Sequence, residues 1–548
     1  MYFQPNRHDF VDFTSSSADA APEDVVVVGA GPVGLAVALG LARRGVEVTV
    51  LEAGDSVSHG SRAICLSRHS LEVLDRIGVG ERLGSVALPW STGRSHYRDT
   101  EVLSFDMPYD RNDVRAPMFN ISQSVAEQIM LDAVEAEPRI RLFWRSEVTE
   151  VTQDDAEVTV QATTPAGPWG LRARHVVACD GARSGVRKAL GVHLEGTSYE
   201  GRYVIADIHW KSGLPTERQA WFDPPSNPGQ TILLHRQPDD IWRIDYQIEA
   251  GEDAEEALRE ENIRAVITRH LAWLGNDEPW TLEWSSIYRA HSRALDSFLH
   301  GRVLFAGDAA HLVPIFGVRG LNSGLEDADV YTWALAAVVR GEADDRLLRT
   351  VADERRDAWQ QNVDQAEKST LFMTPSSDGY RLTRDAILQL ALSRPVLRGL
   401  INPRQSAATH SRASALTYTP TKAVTGPLPG DPLPDRRVTT ANGTTAGVHA
   451  LRGRGFALIA ATDAAEAARA GEQLSQMLPG RLTVLAARGA TEGVTVTGPD
   501  VCTDLGLDEG DLVLVRPDGL VLGRLSQGES LEPLLLHLTD RLTAEGSR

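Results

Sequence analysis

The chain has 548 residues, 42% hydrophobic and 24% charged, with a formal net charge of −20. That length exceeds one ordinary core and fits two or three domains, each able to bury an apolar interior. The acidic balance disfavours nucleic acid and anionic membrane surfaces, whose phosphates its field repels, and no apolar run reaches the ~18 residues of a membrane span. The three cysteines, Cys65, Cys179 and Cys502, lie far apart with neither CxxC nor metal-ligand spacing. This argues against a disulfide framework, a metal site and a thiol relay, and makes a reducing cytoplasm the expected compartment.

Residues 1–20 mix Arg7, His8, Asp9, Asp12 and a serine cluster, so 1–22 reads as a loosely ordered N-terminal arm rather than a secretory signal. A strand over 25–28, a glycine turn, an apolar helix over 33–43 and a strand over 46–51 then form one βαβ unit. The turn Gly29-Ala30-Gly31-Pro32-Val33-Gly34 is a GxGxxG whose glycines let the backbone approach a pyrophosphate at the positive end of the helix. Glu52, followed by Ala53, ends the second strand where a carboxylate accepts a ribose hydroxyl, which favours FAD or NAD over NADP.

Farther along, an apolar strand runs into Cys179-Asp180-Gly181, with Ser184 and Arg187 in the turn that follows. Another strand ends in Gly307-Asp308, leads through Pro314, and is followed by Gly317-Val318-Arg319-Gly320-Leu321-Asn322 at the start of a helix. Residues 201–284 are rich in Trp, Tyr and His in short alternating runs and read as an inserted sheet. Helical patterns continue to about 402, and 417–437 holds five prolines and two glycines, the composition of a linker. Beyond it, strands over 456–460, 482–486 and 512–515 alternate with helices over 464–477 and 531–542. No repeat at a solenoid period is present.

With these three motifs in this order, the chain resembles the group A flavoprotein aromatic hydroxylases, the family of p-hydroxybenzoate, phenol and 3-(3-hydroxyphenyl)propionate hydroxylases. The resemblance covers about 24–400, and Gly60-Ser61-Arg62-Ala63-Ile64-Cys65 is similar to the last of these. It implies an α/β fold with α+β insertions: a Rossmann-like FAD-binding domain of the GR2 type (23–85, 115–195 and 285–402), an inserted substrate sheet (86–114 and 196–284), a linker (403–437) and a thioredoxin-like domain (438–548), here lacking CxxC. It also implies non-covalent FAD, NAD(P)H as co-substrate, O2, and a small phenolic substrate hydroxylated through a C4a-hydroperoxyflavin; a homodimer is compatible with it. Gly29, Gly31, Pro32, Val33, Gly34, Glu52 and Ala53 would hold the ADP half, and Arg62 and Gln123 the ribose and phosphates. Asp308, after Gly307, would meet the ribityl chain, Gly320, Leu321 and Asn322 the flavin ring, and Asp180 and Arg187 both FAD and NAD(P)H.

Val318-Arg319 departs from the Gly-Gln of many relatives and places a cation beside the ring. Oxygenation further requires removal of the phenol proton, since a free phenol titrates near about 10. His235, Tyr246, Arg319 and Pro314 are the candidate catalytic residues, with Arg243, His209 and His59 also available. No second GxGxxG follows a strand, so the nicotinamide is expected to lack a Rossmann domain of its own. The alternatives are a same-fold monooxygenase that hydroxylates or epoxidises a polycyclic natural product, and a non-catalytic FAD-fold binding protein.

Overall fold

Val25, Val26, Val27 and Val28 are all buried because their strand, β1 (Glu23–Val28), lies inside a largely parallel sheet. Such strands have apolar neighbours on both faces and read as unbroken hydrophobic runs. The computed structural model describes residues 3–11, 21–60, 63–249, 251–401, 407–419, 425–498 and 500–542. After β1 come α1 (Pro32–Ala42), with proline at its first turn, and β2 (Val48–Leu51), then β3 (Cys65–Ser67) and α2 (Arg68–Arg76). Two later strands, β4 (Ile140–Phe143) and β5 (Gly167–Ala178), complete the order β4-β2-β1-β5, each pair parallel. Residues 3–11 are not a loose arm: the His8 ring stacks on Trp144 at 4.6 Å, and the His8 backbone N–H donates to the Asp55 carbonyl at 2.7 Å.

The second sheet is built from β6 (Glu195–Trp210), β7 (Arg218–Phe222), β8 (Thr231–Arg236) and β9 (Ile241–Ile248). A helix that the alternating pattern did not suggest, α3 (Glu260–Trp273), precedes β10 (Trp280–Ala294). The order is β10-β6-β9-β8-β7, with the hairpin Thr92–Tyr97 and Thr100–Asp106 at the far edge. Strand parity sorts the side chains. Ala206, Ile208, Trp242, Ile244 and Tyr246 pack in one core with Ile263 and Ile267 of α3. Ile205, Asp207, Leu233, His235, Arg243 and Asp245, of opposite parity, occupy the other face.

The chain returns to the first sheet through β11 (Val303–Phe305), parallel to β5. It continues into α4 (Gly320–Val339), α5 (Arg346–Met373) and α6 (Asp378–Ala391). Helices α1 and α4 approach closely because Gly40 lacks a side chain; a Cβ there would lie 2.7 Å from Thr332. The C-terminal unit contains β12 (Phe456–Asp463), α7 (Ala464–Ser475), β13 (Leu482–Arg488), β14 (Leu512–Val515), β15 (Val521–Leu525) and α8 (Glu532–Leu542). Its parallel β13-β12 pair continues antiparallel into β14 and β15, a thioredoxin-like sheet. Cys502 is buried there, and burial pushes its thiol up. The described part of the proline-rich stretch is not a free tether, since backbone N–H groups of Tyr418, Gly430 and Leu433 donate to Leu522, Val521 and Gly519. Proline suits such an edge because it offers no unpaired N–H.

Arg516 fastens this unit to the rest. Its guanidinium binds both oxygens of Glu354 on α5, at 2.7 and 2.9 Å, and also pairs with Asp518, which accepts from the Trp333 indole at 2.8 Å. Arg516 and Glu354 are both almost wholly buried. Removing one partner of a buried pair costs about 3–5 kcal/mol because the other charge is stranded. Arg516→Met is therefore expected to lower the unfolding midpoint of the C-terminal unit by several degrees in differential scanning calorimetry; an unchanged thermogram would show that the docking does not depend on this pair.

Candidate active site

The turn after β1 is shaped by steric exclusion. Gly29 has φ +100°, and a Cβ there would lie 2.6 Å from the Cys179 carbonyl oxygen; one on Gly34 would lie 1.9 Å from the Gly29 oxygen. Among the described residues nothing lies within 4 Å of the would-be Cβ at Gly31, which leaves space before the first turn of α1, and none of their side chains caps that turn. Val33 closes the inner side, 3.0 and 2.6 Å from would-be Cβ atoms on Gly307 and Gly324. Glu52 accepts from the Ala30 N–H at 2.6 Å and the Gly54 N–H at 2.7 Å, with exposed Ala53 between. Gln123 accepts from the Ala63 N–H at 3.1 Å and donates to Glu127 at 2.7 Å; burial pushes the Glu127 carboxyl up. Arg62 lies outside the described residues.

Two loops distant in sequence meet beside this turn. Asp180 accepts from the Val186 N–H at 3.0 Å, while its buried Oδ1 has no hydrogen bond among the described residues; burial raises its pKa. Arg187 donates to the Ala182 carbonyl at 2.6 Å and the Ala309 carbonyl at 2.9 Å, stapling the Asp180 loop to the Gly307-Asp308 loop. Gly307 takes φ +57°, and Asp308 is exposed beside it. Beneath them, wholly buried Asp327 of α4 accepts from the Gly307 N–H at 3.0 Å, His311 at 2.7 Å and Arg355 of α5 at 2.7 Å. Burial alone would raise its pKa, but the His311 and Arg355 charges outweigh burial and hold it at about 2. The sequence reading gave Asp327 no role, although a carboxylate inside the apolar stretch of α4 needs a partner.

The start of α4 is clamped from the side. The Asn322 side chain accepts from the Ser67 N–H at 2.9 Å and the Ser70 hydroxyl at 2.6 Å and donates to the Cys65 carbonyl at 3.1 Å, joining α4 to β3 and α2. Gly320 has open space around it, and Leu321 is half-buried. Val318 has φ +54°, a conformation that costs a β-branched residue on the order of 1–3 kcal/mol. Arg319, expected beside the ring, is buried and donates to Asn362 of α5 at 2.9 Å. Pro314 is buried two residues before Phe316, whose ring meets Tyr203 edge-on at 5.1 Å.

On the inner face of the second sheet, the registers place Arg218, His235, Arg243 and Asp207 in one row across β7, β8, β9 and β6. Arg243 binds Asp207 through two bonds of 2.9 Å. Burial, with the Arg218 and Arg243 charges, holds His235 well below its ordinary pKa, so its imidazole is neutral. A cavity of about 230 Å³ adjoins this row, lined by Arg94, Arg218, Phe222, Leu233, Phe372 and Met373 among others. Tyr246 lies on the opposite face under α3, away from the cavity. His59 is exposed and His209 half-buried at the end of β6.

Residues 23–366 match the model of an FAD binding domain, and 426–542 that of the aromatic-ring hydroxylase C-terminal domain. The 3-(3-hydroxy-phenyl)propionate/3-hydroxycinnamic acid hydroxylase of Mycolicibacterium smegmatis is 30% identical over 376 residues, 68% of this chain and 66% of that protein. The match thus spans just under two thirds of that relative's length. The para-nitrophenol 4-monooxygenase of a Pseudomonas species is 30% identical over 386 residues, 69% of this chain and 94% of that one. Among solved structures, the flavin-dependent monooxygenase PieE, in complex with FAD and substrate, superimposes with a TM-score of 0.80 at 23% identity, over 95% of this chain and 100% of that one. The open glycine turn, the paired Asp-Gly and Gly-Asp loops and the thioredoxin-like unit thus accompany a match over most of the sequence, and the chain belongs to the FAD-dependent aromatic-ring hydroxylases.

Proposed function

We propose that this protein hydroxylates a single-ring phenolic substrate with NAD(P)H and O2, using FAD held between the turn at Gly29–Gly34 and the start of α4. The observation that carries this reading is a cradle of open backbone: among the described residues, space at Gly31 and Gly320, exposed Asp308 on the loop that Arg187 ties to the Asp180 loop, and a buried Asp180 oxygen with no hydrogen bond. Gly29, Gly31, Pro32, Val33 and Gly34 bring backbone and helix dipole to the pyrophosphate. Glu52, beside Ala53, accepts from the adenosine ribose, and Gln123 lies along the same path. Asp308 accepts from a ribityl hydroxyl beyond Gly307. Leu321 and Asn322 offer backbone N–H groups to the ring, the Asn322 side chain being fully used elsewhere. Arg187 holds the two loops in place. FAD supplies hydride acceptance and activation of O2; the protein binds the ring, excludes water and manages the phenol proton.

The cavity speaks to substrate size. Sites for drug-sized ligands run about 300–1,000 Å³, so about 230 Å³ favours one ring with a short substituent over a polycyclic skeleton. The three cysteines are free and buried, which suits work in the cytoplasm.

The purified protein is expected to be yellow and to consume NAD(P)H about a hundredfold faster with its phenol than without, a gate of ~2.7 kcal/mol. Equal rates across a panel of phenols would contradict the reading.

Asp308→Ala removes a charge-assisted hydrogen bond worth about 1.5–3 kcal/mol. FAD titrated into the apoprotein should therefore bind more than tenfold more weakly, and unchanged affinity would remove Asp308 from the site.

Asp327 titrates at about 2 in the folded protein against about 3.9 unfolded. Its contribution is complete above the unfolded value and is lost as pH falls from ~4 towards ~2. Asp327→Asn should accordingly lower Tm at neutral pH, with the gap to wild type closing below pH ~4; a gap independent of pH would show that its charge is not what stabilises the site.

A further inference from the structure

Asp245 of β9 presents an unexplained burial. The residue is 8% exposed, and among the described residues its solvent-excluded Oδ1 has no hydrogen bond and its carboxylate no ion pair. Leaving a buried carboxylate unpaired costs several kcal/mol, and in native proteins such a group calls for a reason. The nearest candidate partner, Arg243, is two residues away on the same face but is held by both oxygens of Asp207. In register, Asp245 lies between Leu233 of β8, which lines the cavity, and Ile205 of β6. The polar row of Arg218, His235, Arg243 and Asp207 runs immediately beside it. Cys65 of β3, whose carbonyl binds the Asn322 side chain at the start of α4, lies within electrostatic reach. Asp245 thus lies on the sheet face of Leu233, its cross-strand partner in the cavity wall, with Cys65 of β3 within electrostatic reach.

We propose that Asp245 is the base that takes the proton from the substrate's phenolic hydroxyl. This rests on the phenol-hydroxylase reading above and adds to it the residue that activates the ring. In the step, the phenol O–H bond breaks and an O–H bond forms on the Asp245 carboxylate. The electron pair left on the phenolate oxygen enters the ring and makes the carbon at the ortho or para position a better nucleophile. Asp245 keeps the proton during oxygen transfer; the ring carbon that gains the oxygen loses its hydrogen as a proton, which leaves with the second oxygen atom of O2 as water, and Asp245 returns its own proton to the product phenolate. Arg218, reaching the cavity from β7, balances the charge.

The surroundings suit this role. Burial first, with Asp207 in support, raises the carboxyl to about 6 against the opposing pull of Arg243 and Arg218. The carboxyl is ionised at neutral pH yet more basic than an ordinary aspartate, as a general base should be. The remaining groups facing it do not compete. His235 is held neutral, and burial raises the Cys65 thiol to about 12 and pushes the Tyr203 hydroxyl well above its ordinary range.

The test compares wild-type holoenzyme with Asp245→Asn, using the phenol of the panel that wild type oxygenates best, across pH 6–10. General-base catalysis contributes about 10²–10⁴, so kcat/KM should fall at least a hundredfold at pH 7 with FAD content unchanged. The residual rate should then climb with pH as the phenol ionises unaided, closing most of the gap near pH 10. A merely structural role would give a loss that is equal at every pH, and that result, or wild-type activity in the variant, would overturn the assignment while leaving the hydroxylase reading intact. Should Asp245→Asn fail to retain FAD, the same profile is read on Asp245→Glu, where a retained carboxylate predicts a wild-type-shaped profile at reduced rate and an altered shape would overturn the proposal. Oxygenation of no phenol by wild type would overturn both readings.

Discussion

The buried carboxylate of Asp327 is the interaction on which the rest of the site depends. It accepts from the Gly307 N–H, His311 and Arg355 at once, so one side chain of α4 fixes the turn after β11, the short strand His311–Leu312 that follows it and helix α5. Each charged contact is stronger in a site that excludes water, and together they outweigh the cost of burying the charge. The geometry follows from this anchor. With Gly307 held against α4, Asp308 turns outward beside the open start of the same helix, and Arg187 ties the neighbouring loop to the same turn.

Helix α5 passes this anchorage on to the C-terminal unit. Its consecutive residues Glu354 and Arg355 point to different partners: Glu354 to Arg516 of the thioredoxin-like unit, Arg355 to Asp327 under the cofactor turn. Trp333 of α4 adds a bond to Asp518. The unit has no thiol pair, and what the structure gives it is a brace for the two helices that shape the site.

Much of this could be read directly from the residues. The GxGxxG between strand and helix, the Asp-Gly and Gly-Asp strand ends and the alternating C-terminal elements are local patterns, because each is dictated by backbone sterics or by one element's own periodicity. What could not be read depends on partners far along the chain. Trp242-Arg243-Ile244-Asp245-Tyr246 shows an alternation, but which parity meets the cavity is decided by the strands that pair with it and by α3, so the residues alone point to Tyr246 and pass over Asp245. Arg319 likewise could not be seen to turn towards Asn362. The arm at 3–11 and the proline-rich segment read as loose because their order comes from Trp144, Asp55 and the edge of the C-terminal sheet.

The proposed chemistry is the cooperation of cradle and cavity in placing one atom of O2 on a phenolic ring. Its most direct test is turnover under ¹⁸O2 in ordinary water with NAD(P)H, using 3-(3-hydroxyphenyl)propionate and p-nitrophenol as first probes within a wider set of phenols, with products read by mass spectrometry. Each hydroxylated product should carry one ¹⁸O, with one NAD(P)H consumed per product. A new hydroxyl carrying oxygen from water, or NAD(P)H consumed only to hydrogen peroxide with every phenol tried, would contradict it.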